Sequence, residues 1–239
     1  MYQKPEKLRH NALMEGESSR YRLQKNKGHI FSESVLPKYA IIPLILALVV
    51  NNCVYIGVAQ FKDVLSFTSL ATELDERIPF IAPFVIFYVF AYVQWGFNYI
   101  LIGRDSKKMC YRFVLGDIFS KIICLLFFIL LPTTLVRPEI TGTDIFSKLV
   151  RFIYSVDSPV NLFPSIHCLE SWCCIRAAFQ MELKTPQRTR VYRVLTIIIS
   201  LGVFASTLFI KQHVIVDVFG GIGAFEIGLF LSGKLKKRK

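Results

Sequence analysis

Six runs of mostly apolar residues, at 39–61, 78–102, 113–136, 162–181, 191–210 and 214–232, set the limits on what this chain can fold into. The hydrocarbon core of a bilayer is about 30 Å thick, and about 20 apolar residues in a helix cross it. Within lipid a backbone must satisfy its own hydrogen bonds, which leaves helices or closed barrels, and runs of this length specify helices. With 53% hydrophobic residues and 21 phenylalanines in 239 residues, the chain is too apolar for a soluble domain of its size. The expectation is an all-α integral membrane bundle of six transmembrane helices. It divides into a polar, basic N-terminal tail at 1–38, a transmembrane domain at 39–233 and a basic tail at 234–239. The first 38 residues hold no apolar core followed by a small-residue cleavage site, so the first span is expected to act as the insertion signal.

The net charge of +12 admits a nucleic-acid partner, but its distribution argues against one. Lys and Arg gather in the N-terminal tail, in the second connection (Arg104, Lys107, Lys108, Arg112), in the fourth (Lys184, Arg188, Arg190, Arg193) and in the final tail from Lys234 onward. With six spans these alternate segments share one side, which the positive-inside rule makes cytoplasmic, so both termini are expected there. The basic balance then serves topology and contact with anionic lipid. The first and third connections carry mixed charge and face outward. Glu73, Asp75 and Glu76 in the first are expected to form a solvated loop.

On that outward side the sequence places several ionisable groups beside apolar runs, where they are costly unless used. Arg137 leaves the third span there, His167 begins the fourth, and His213 and Asp217 begin the sixth. Four residues apart on a helix, His213 and Asp217 would share a face, and the carboxylate could engage one ring nitrogen and leave the other nucleophilic. Such an imidazole can attack phosphorus and divide one displacement into two. His167 suits the general acid and then base. The Arg137 guanidinium offers a fork for phosphoryl oxygens. Ser165 and the amides at Ser165 and Ile166 sit where a helix N-terminus favours an anion, and Lys211 supplies a further charge if its segment is not yet helical. Two histidines and a carboxylate could instead ligate zinc or iron, but Arg137 and Lys211 would crowd a cation, so neither metal nor cofactor is expected.

Other polar residues have blander readings. Glu170 could tune His167 from the same helix face or be a buried acid paired with a neighbour such as Arg176, and the sequence leaves both open. Lys121 matches Asp117 at the i,i+4 spacing. Tyr88, Tyr92, Trp95 and Asn98 are expected to mediate helix contacts and interface anchoring. Gly220, Gly221, Gly223 and Gly228 look like a close packing face. The six cysteines include no CxxC pair and several lie within spans, which makes them packing residues.

From the second span to the sixth the chain resembles the type 2 phosphatidic acid phosphatase superfamily of integral membrane lipid phosphatases and phosphotransferases. That family carries three blocks, KxxxxxxRP, PSGH and SRxxxxxHxxxD. Here the first keeps Arg137-Pro138, the second reads Pro164-Ser165-Ile166-His167, and the third keeps Ser206, His213 and Asp217 at the family spacing. The resemblance implies a six-helix bundle with a metal-independent, extracytoplasmic site, with His213 as nucleophile, Asp217 as its orienting partner and His167 as acid. Leu130, Ile166 and Thr207 replace the family lysine, glycine and arginine. Loss of the first-block lysine is similar to the branch of sphingomyelin and inositol phosphorylceramide synthases, whereas segments 74–80 and 161–164 look like bacterial phosphatases of the superfamily.

The expected activity is therefore a lipid phosphatase in the bacterial cytoplasmic membrane, acting on a phospholipid or polyprenyl phosphate through a phosphohistidine. The alternatives are a lipid phosphotransferase passing a phospho-headgroup to a lipid alcohol, and a non-catalytic membrane protein or transporter. Oligomeric state is left open.

Overall fold

The computed structural model describes residues 35–60 and 65–235. The expected tails at 1–38 and 234–239, and Lys62 and Asp63 of the first connection, fall largely outside these residues. Among the described residues all regular structure is helical apart from two isolated bridges, Thr68 to Thr133 and Thr134 to Val160. The helices are α1 (Lys38–Ala59), α2 (Glu73–Arg77), α3 (Val85–Asp105), α4 (Lys107–Leu130), α5 (Ile145–Val156), α6 (Ile166–Gln180), α7 (Pro186–Phe209) and α8 (Ile215–Leu235), with a 3-10 turn at Ala82–Phe84 leading into α3.

Several helices start where a short polar side chain captures an amide that the helix leaves unpaired. Ser106 accepts from the Met109 N–H at 3.1 Å to open α4, and it is the only residue between α3 and α4. Asp144 accepts from Phe146 and Ser147 at 2.9 and 3.1 Å to open α5. Thr185 caps α7, with Pro186 at its first position, where the missing N–H costs nothing.

Among the described residues five helices are long and apolar enough to cross a membrane: α1, α3, α4, α7 and α8. The run expected as a fourth span is shorter than the others. It forms α6, whose 15 residues rise only about 22 Å. The long run at 162–181 is broken because Pro164 lies in the turn ahead of the helix and Ser165 caps its start. α6 packs against α3, α4, α7 and α8, and most of its residues are buried. The expected third span is also displaced, since α4 starts six residues earlier and ends at Leu130. The third connection holds a helix that was not expected, the amphipathic α5, whose Val150 and Ile153 are buried against Ala82, Val85 and Ile210.

The most extensive helix contact joins α4 and α8. Membrane helices approach closely through small residues. A Cβ on Gly228 would strike the Gly116 carbonyl and the Ser120 side chain, and one on Gly221 would strike the Ser165 carbonyl and, at 3.0 Å, the Leu169 nitrogen. The packing face expected from the glycines of the last span is present at 220, 221 and 228, whereas Gly223 faces nothing within 4 Å. Gly221→Ala should therefore lower the thermal midpoint in detergent by the equivalent of about 1–3 kcal/mol, the usual cost of overpacking. Gly223→Ala should leave the midpoint unchanged or raise it, because alanine favours helix by about 0.5–1 kcal/mol.

Candidate functional site

The site lies at the end of the bundle where α4 finishes and α3, α6 and α8 begin. The basic turns lie at the other end, where the Arg112 guanidinium reaches Gln180 and Arg193 donates to the Ala178 carbonyl at 3.0 Å.

His213 sits in a short loop between α7 and α8, not on a helix as its spacing from Asp217 suggested. Its amide and that of Gln212 both donate to the Thr207 carbonyl, at 3.0 and 2.9 Å. The contact with Asp217 comes through a capping turn: Asp217 Oδ2 accepts from the Val214 N–H at 3.0 Å and lies 3.2 Å from His213 Nδ1. A carboxylate on Nδ1 fixes the tautomer with the proton there and leaves Nε2 as the free nitrogen.

His167 occupies the first turn of α6, and its position relative to His213 is set by backbone. The Ser165 N–H donates to the Asp217 carbonyl at 3.0 Å, and Gly221, one turn further along α8, lets the start of α6 approach. The two imidazole centroids lie 6.1 Å apart with planes inclined at 55°. One small tetrahedral group, bonded to one ring and hydrogen-bonded to the other, fits that span. Three aromatic residues of α3 surround His167. Tyr88 stacks on it at 4.2 Å, Trp95 lies at 5.2 Å, and the Tyr92 hydroxyl is 3.3 Å from Nε2. These residues, expected only to pack helices, position the second histidine.

Arg137 belongs to the same group. Its Nη1 donates to the Asp157 carbonyl at 2.5 Å and its Nη2 to Gln212 Oε1, and its guanidinium lies over the Tyr154 ring at 4.5 Å. All of these acceptors are neutral, so its charge is available to an anion. Burial pushes its pKa below the ordinary value, with Asp157 as the leading opposing influence, yet an arginine stays charged. Arg137 Nε and Gln212 Nε2 are buried donors without a hydrogen-bond partner, and both suit an anion. The Asp157 carboxylate accepts from Tyr88 at 2.8 Å and from Tyr55, which links α1, α3, α5 and Arg137.

A cavity of about 370 Å³ opens beside His213, lined by Arg137, Lys211, Asp75, Glu76 and apolar residues such as Phe80 and Leu208. Lys211 is outside the helices, as its expected role required, with a positive φ of 51°. Its ammonium donates to the carbonyls of Asp75 and Ile78 at 2.9 and 2.6 Å. Asp75 returns the contact. Its Oδ1 accepts from Ile215, the first residue of α8, at 2.7 Å, while Oδ2 accepts from the Thr72 amide and hydroxyl. The acidic cluster is thus no simple solvated loop, since Asp75 is buried and holds the start of the helix carrying Asp217.

Other expected members are used differently. The Ser165 amide is taken by the Asp217 carbonyl, while its hydroxyl accepts from the Cys168 amide at 3.3 Å and keeps its own O–H to donate. Ile166 opens α6 beside His167. Glu170 points to neither His167 nor Arg176. It pairs with Lys121 and accepts from the Tyr99 hydroxyl at 3.0 Å, while Arg176 pairs with Glu226. Lys121 contacts Asp117 at 2.6 Å as its spacing indicated, and forms with both acids a fully buried group that cannot supply the missing first-block lysine. Leu130, at that lysine's position, is 79% exposed at the end of α4. Among the described residues no group of three His, Cys, Asp or Glu side chains is placed to hold a metal ion.

No protein-family model, curated protein or solved structure matches this chain.

Burial alone would raise the Asp75 carboxyl, but hydrogen bonds from the Thr72 hydroxyl and the Ile215 and Thr72 amides, with Lys211 nearby, hold it below its ordinary value of 3.8. A depressed carboxyl stabilises the fold above the unfolded value and loses that contribution as pH falls through the folded one. Asp75→Asn, which mimics the protonated acid, should cost about 1 kcal/mol at neutral pH, the worth of a helix cap. The difference from wild type should hold down to about pH 4 and narrow below it, as followed by denaturation in detergent.

Proposed function

We propose that this protein is a metal-independent membrane enzyme that transfers a phosphoryl group from a lipid through a phosphohistidine on His213. The observation that carries the reading is the pair of imidazoles 6.1 Å apart, with Asp217 on Nδ1 of His213 and Arg137 linked to the same loop. His213 Nε2 attacks phosphorus, and His167 protonates the departing lipid oxygen. His167 then takes a proton from the acceptor, which displaces the phosphoryl group from His213. Arg137 bears the charge that develops on the phosphoryl oxygens, with its unpartnered Nε and the Gln212 amide as further donors. The residues that carry these roles match the blocks of the type 2 phosphatidic acid phosphatase superfamily, and the chain is proposed as a divergent member.

Hydrolysis of a lipid phosphomonoester or diphosphate is the first reading. Transfer of a phospho-headgroup to a lipid alcohol is the second, and one observation favours it. The cavity beside His213 holds about 370 Å³, far more than a single phosphoryl group needs, and Arg137 and Lys211 line it. A substituent carried on the transferred phosphorus would fill it.

In the membrane α6 is proposed as a sixth crossing. Its length is tolerated because four helices shield it from lipid. Six crossings put both termini and the basic turns on the cytoplasmic side, and the site on the extracytoplasmic side of what is proposed to be a bacterial cytoplasmic membrane.

The test is release of inorganic phosphate from a panel of lipid phosphomonoesters and diphosphates, and headgroup transfer from phosphodiesters, with and without a diacylglycerol or ceramide acceptor. His213→Ala should reduce turnover to background, and His167→Ala should lower kcat by about 10²–10⁴-fold, the usual worth of a general acid. EDTA should have no effect. Neither release nor transfer from any lipid in the panel would overturn both readings.

A further inference from the structure

Helix α5 divides into three sectors. Val150 and Ile153 are buried against the 3-10 turn and Ile210. Ile145, Phe152 and Val156 lie at i, i+7 and i+11 on one edge and are 69%, 59% and 61% exposed. Lys148 and Arg151, also exposed, lie on the side next to that edge. Neither cation has a carboxylate partner among the described residues, and Arg151 Nη1 donates only to the carbonyls of Ile140 and Gly142, at 2.9 and 2.6 Å. The N-cap Asp144 directs its oxygens to two amides and the Ser147 hydroxyl and forms no ion pair with either cation among the described residues. A buried sector, an exposed apolar edge and a basic edge in this order form the pattern of a helix lying in the plane of a membrane interface.

The connections place α5 at that interface. It lies between the end of α4 and the start of α6, at the same end of the bundle as the site. With 12 residues it is too short to cross the hydrocarbon.

The far end of α5 is joined to the site. Tyr154 lies under the Arg137 guanidinium and donates to the Ile210 carbonyl at 2.7 Å. Asp157, the C-cap, gives its carbonyl to Arg137 and its carboxylate to Tyr88, the residue stacked on His167. We propose that α5 docks on an anionic lipid leaflet through Phe152 and Lys148 and, from that position, holds Arg137 and Asp157 in place, so that the charge of the leaflet regulates the site. The link to turnover rests on the proposed phosphoryl-transfer reading, whereas the docking itself does not.

The full chain, reconstituted in phosphatidylcholine vesicles with or without phosphatidylglycerol, separates the two. Phe152→Trp adds a tryptophan whose fluorescence, taken as the difference from wild type, should be quenched by lipids brominated near the headgroup end of the chains. Amide exchange across 145–157 should be severalfold slower with phosphatidylglycerol, and Lys148→Gln should remove that difference. Turnover should rise with phosphatidylglycerol, and Lys148→Gln should take away roughly fivefold of that rise, the worth of one surface lysine. Absence of quenching, or exchange that ignores lipid charge, would overturn the docking. Quenching and lipid-sensitive exchange with turnover that ignores lipid charge would overturn the regulation. An enzyme that turns over no lipid phosphate in either vesicle, with quenching and exchange as expected, would support the docking and count against the phosphoryl-transfer reading alone.

Discussion

The two imidazoles stand where they do because the first turns of α6 and α8 touch backbone to backbone. The Ser165 N–H donates to the Asp217 carbonyl, and Gly221 permits the approach by presenting no Cβ to the Ser165 carbonyl. A hydrogen bond between main chains does not depend on side-chain rotamers, so the spacing of the backbones that carry His167 and His213 is built into the fold. Outward from that contact, the Ser165 cap starts the helix bearing His167, the Asp217 carboxylate orients His213, and the three loops around Thr133 knit the strand-like segments that deliver Pro164. Thr133 alone accepts from the amides of Leu162 and Phe163, both at 2.9 Å.

Around this centre each residue of the loop 211–213 is tied to a different element. Lys211 holds the carbonyls of Asp75 in α2 and of Ile78 just after it, Gln212 holds Arg137, and His213 holds Asp217. Such a loop has little freedom, and preorganised groups stabilise developing charge without reorganising at the moment of reaction. A second polar group, Lys121 with Asp117 and Glu170, lies deeper in the bundle and joins α4 to α6. Ionisable groups in a membrane interior persist when paired, and this trio fixes the register of the helix that carries His167.

Much of this was legible in the sequence, and the parts that were not share a cause. Apolar length found the five long helices, and the positions of His167, His213, Asp217 and Arg137 at one end followed from counting spans and the alternation of basic connections. Length alone started the run at 162–181 too early, because hydropathy does not register that Pro164 and Ser165 defer the start of α6 to Ile166. The amphipathic α5 was hidden among charged residues, although Ile145, Leu149, Phe152, Ile153 and Val156 recur at helical spacing and could have marked it. The contacts of Asp75 with Ile215, of Asp157 with Tyr88, of Tyr88 with His167 and of Gln212 with Arg137 left no local signal, since each joins residues at least 69 apart. Lys211 lies in an irregular segment, the condition on which its expected role depended, but its pairing with two main-chain carbonyls depends on the path of the chain around α2, which no motif encodes.

The central claim is that His213 carries the phosphoryl group between donor and acceptor. Rapid quenching of the enzyme with a lipid labelled at the reactive phosphorus, followed by digestion and peptide mapping at alkaline pH, tests it most directly. The account predicts an acid-labile label on His213 alone, missing from His213→Ala. Label on any other residue, or turnover without a labelled enzyme, would contradict it.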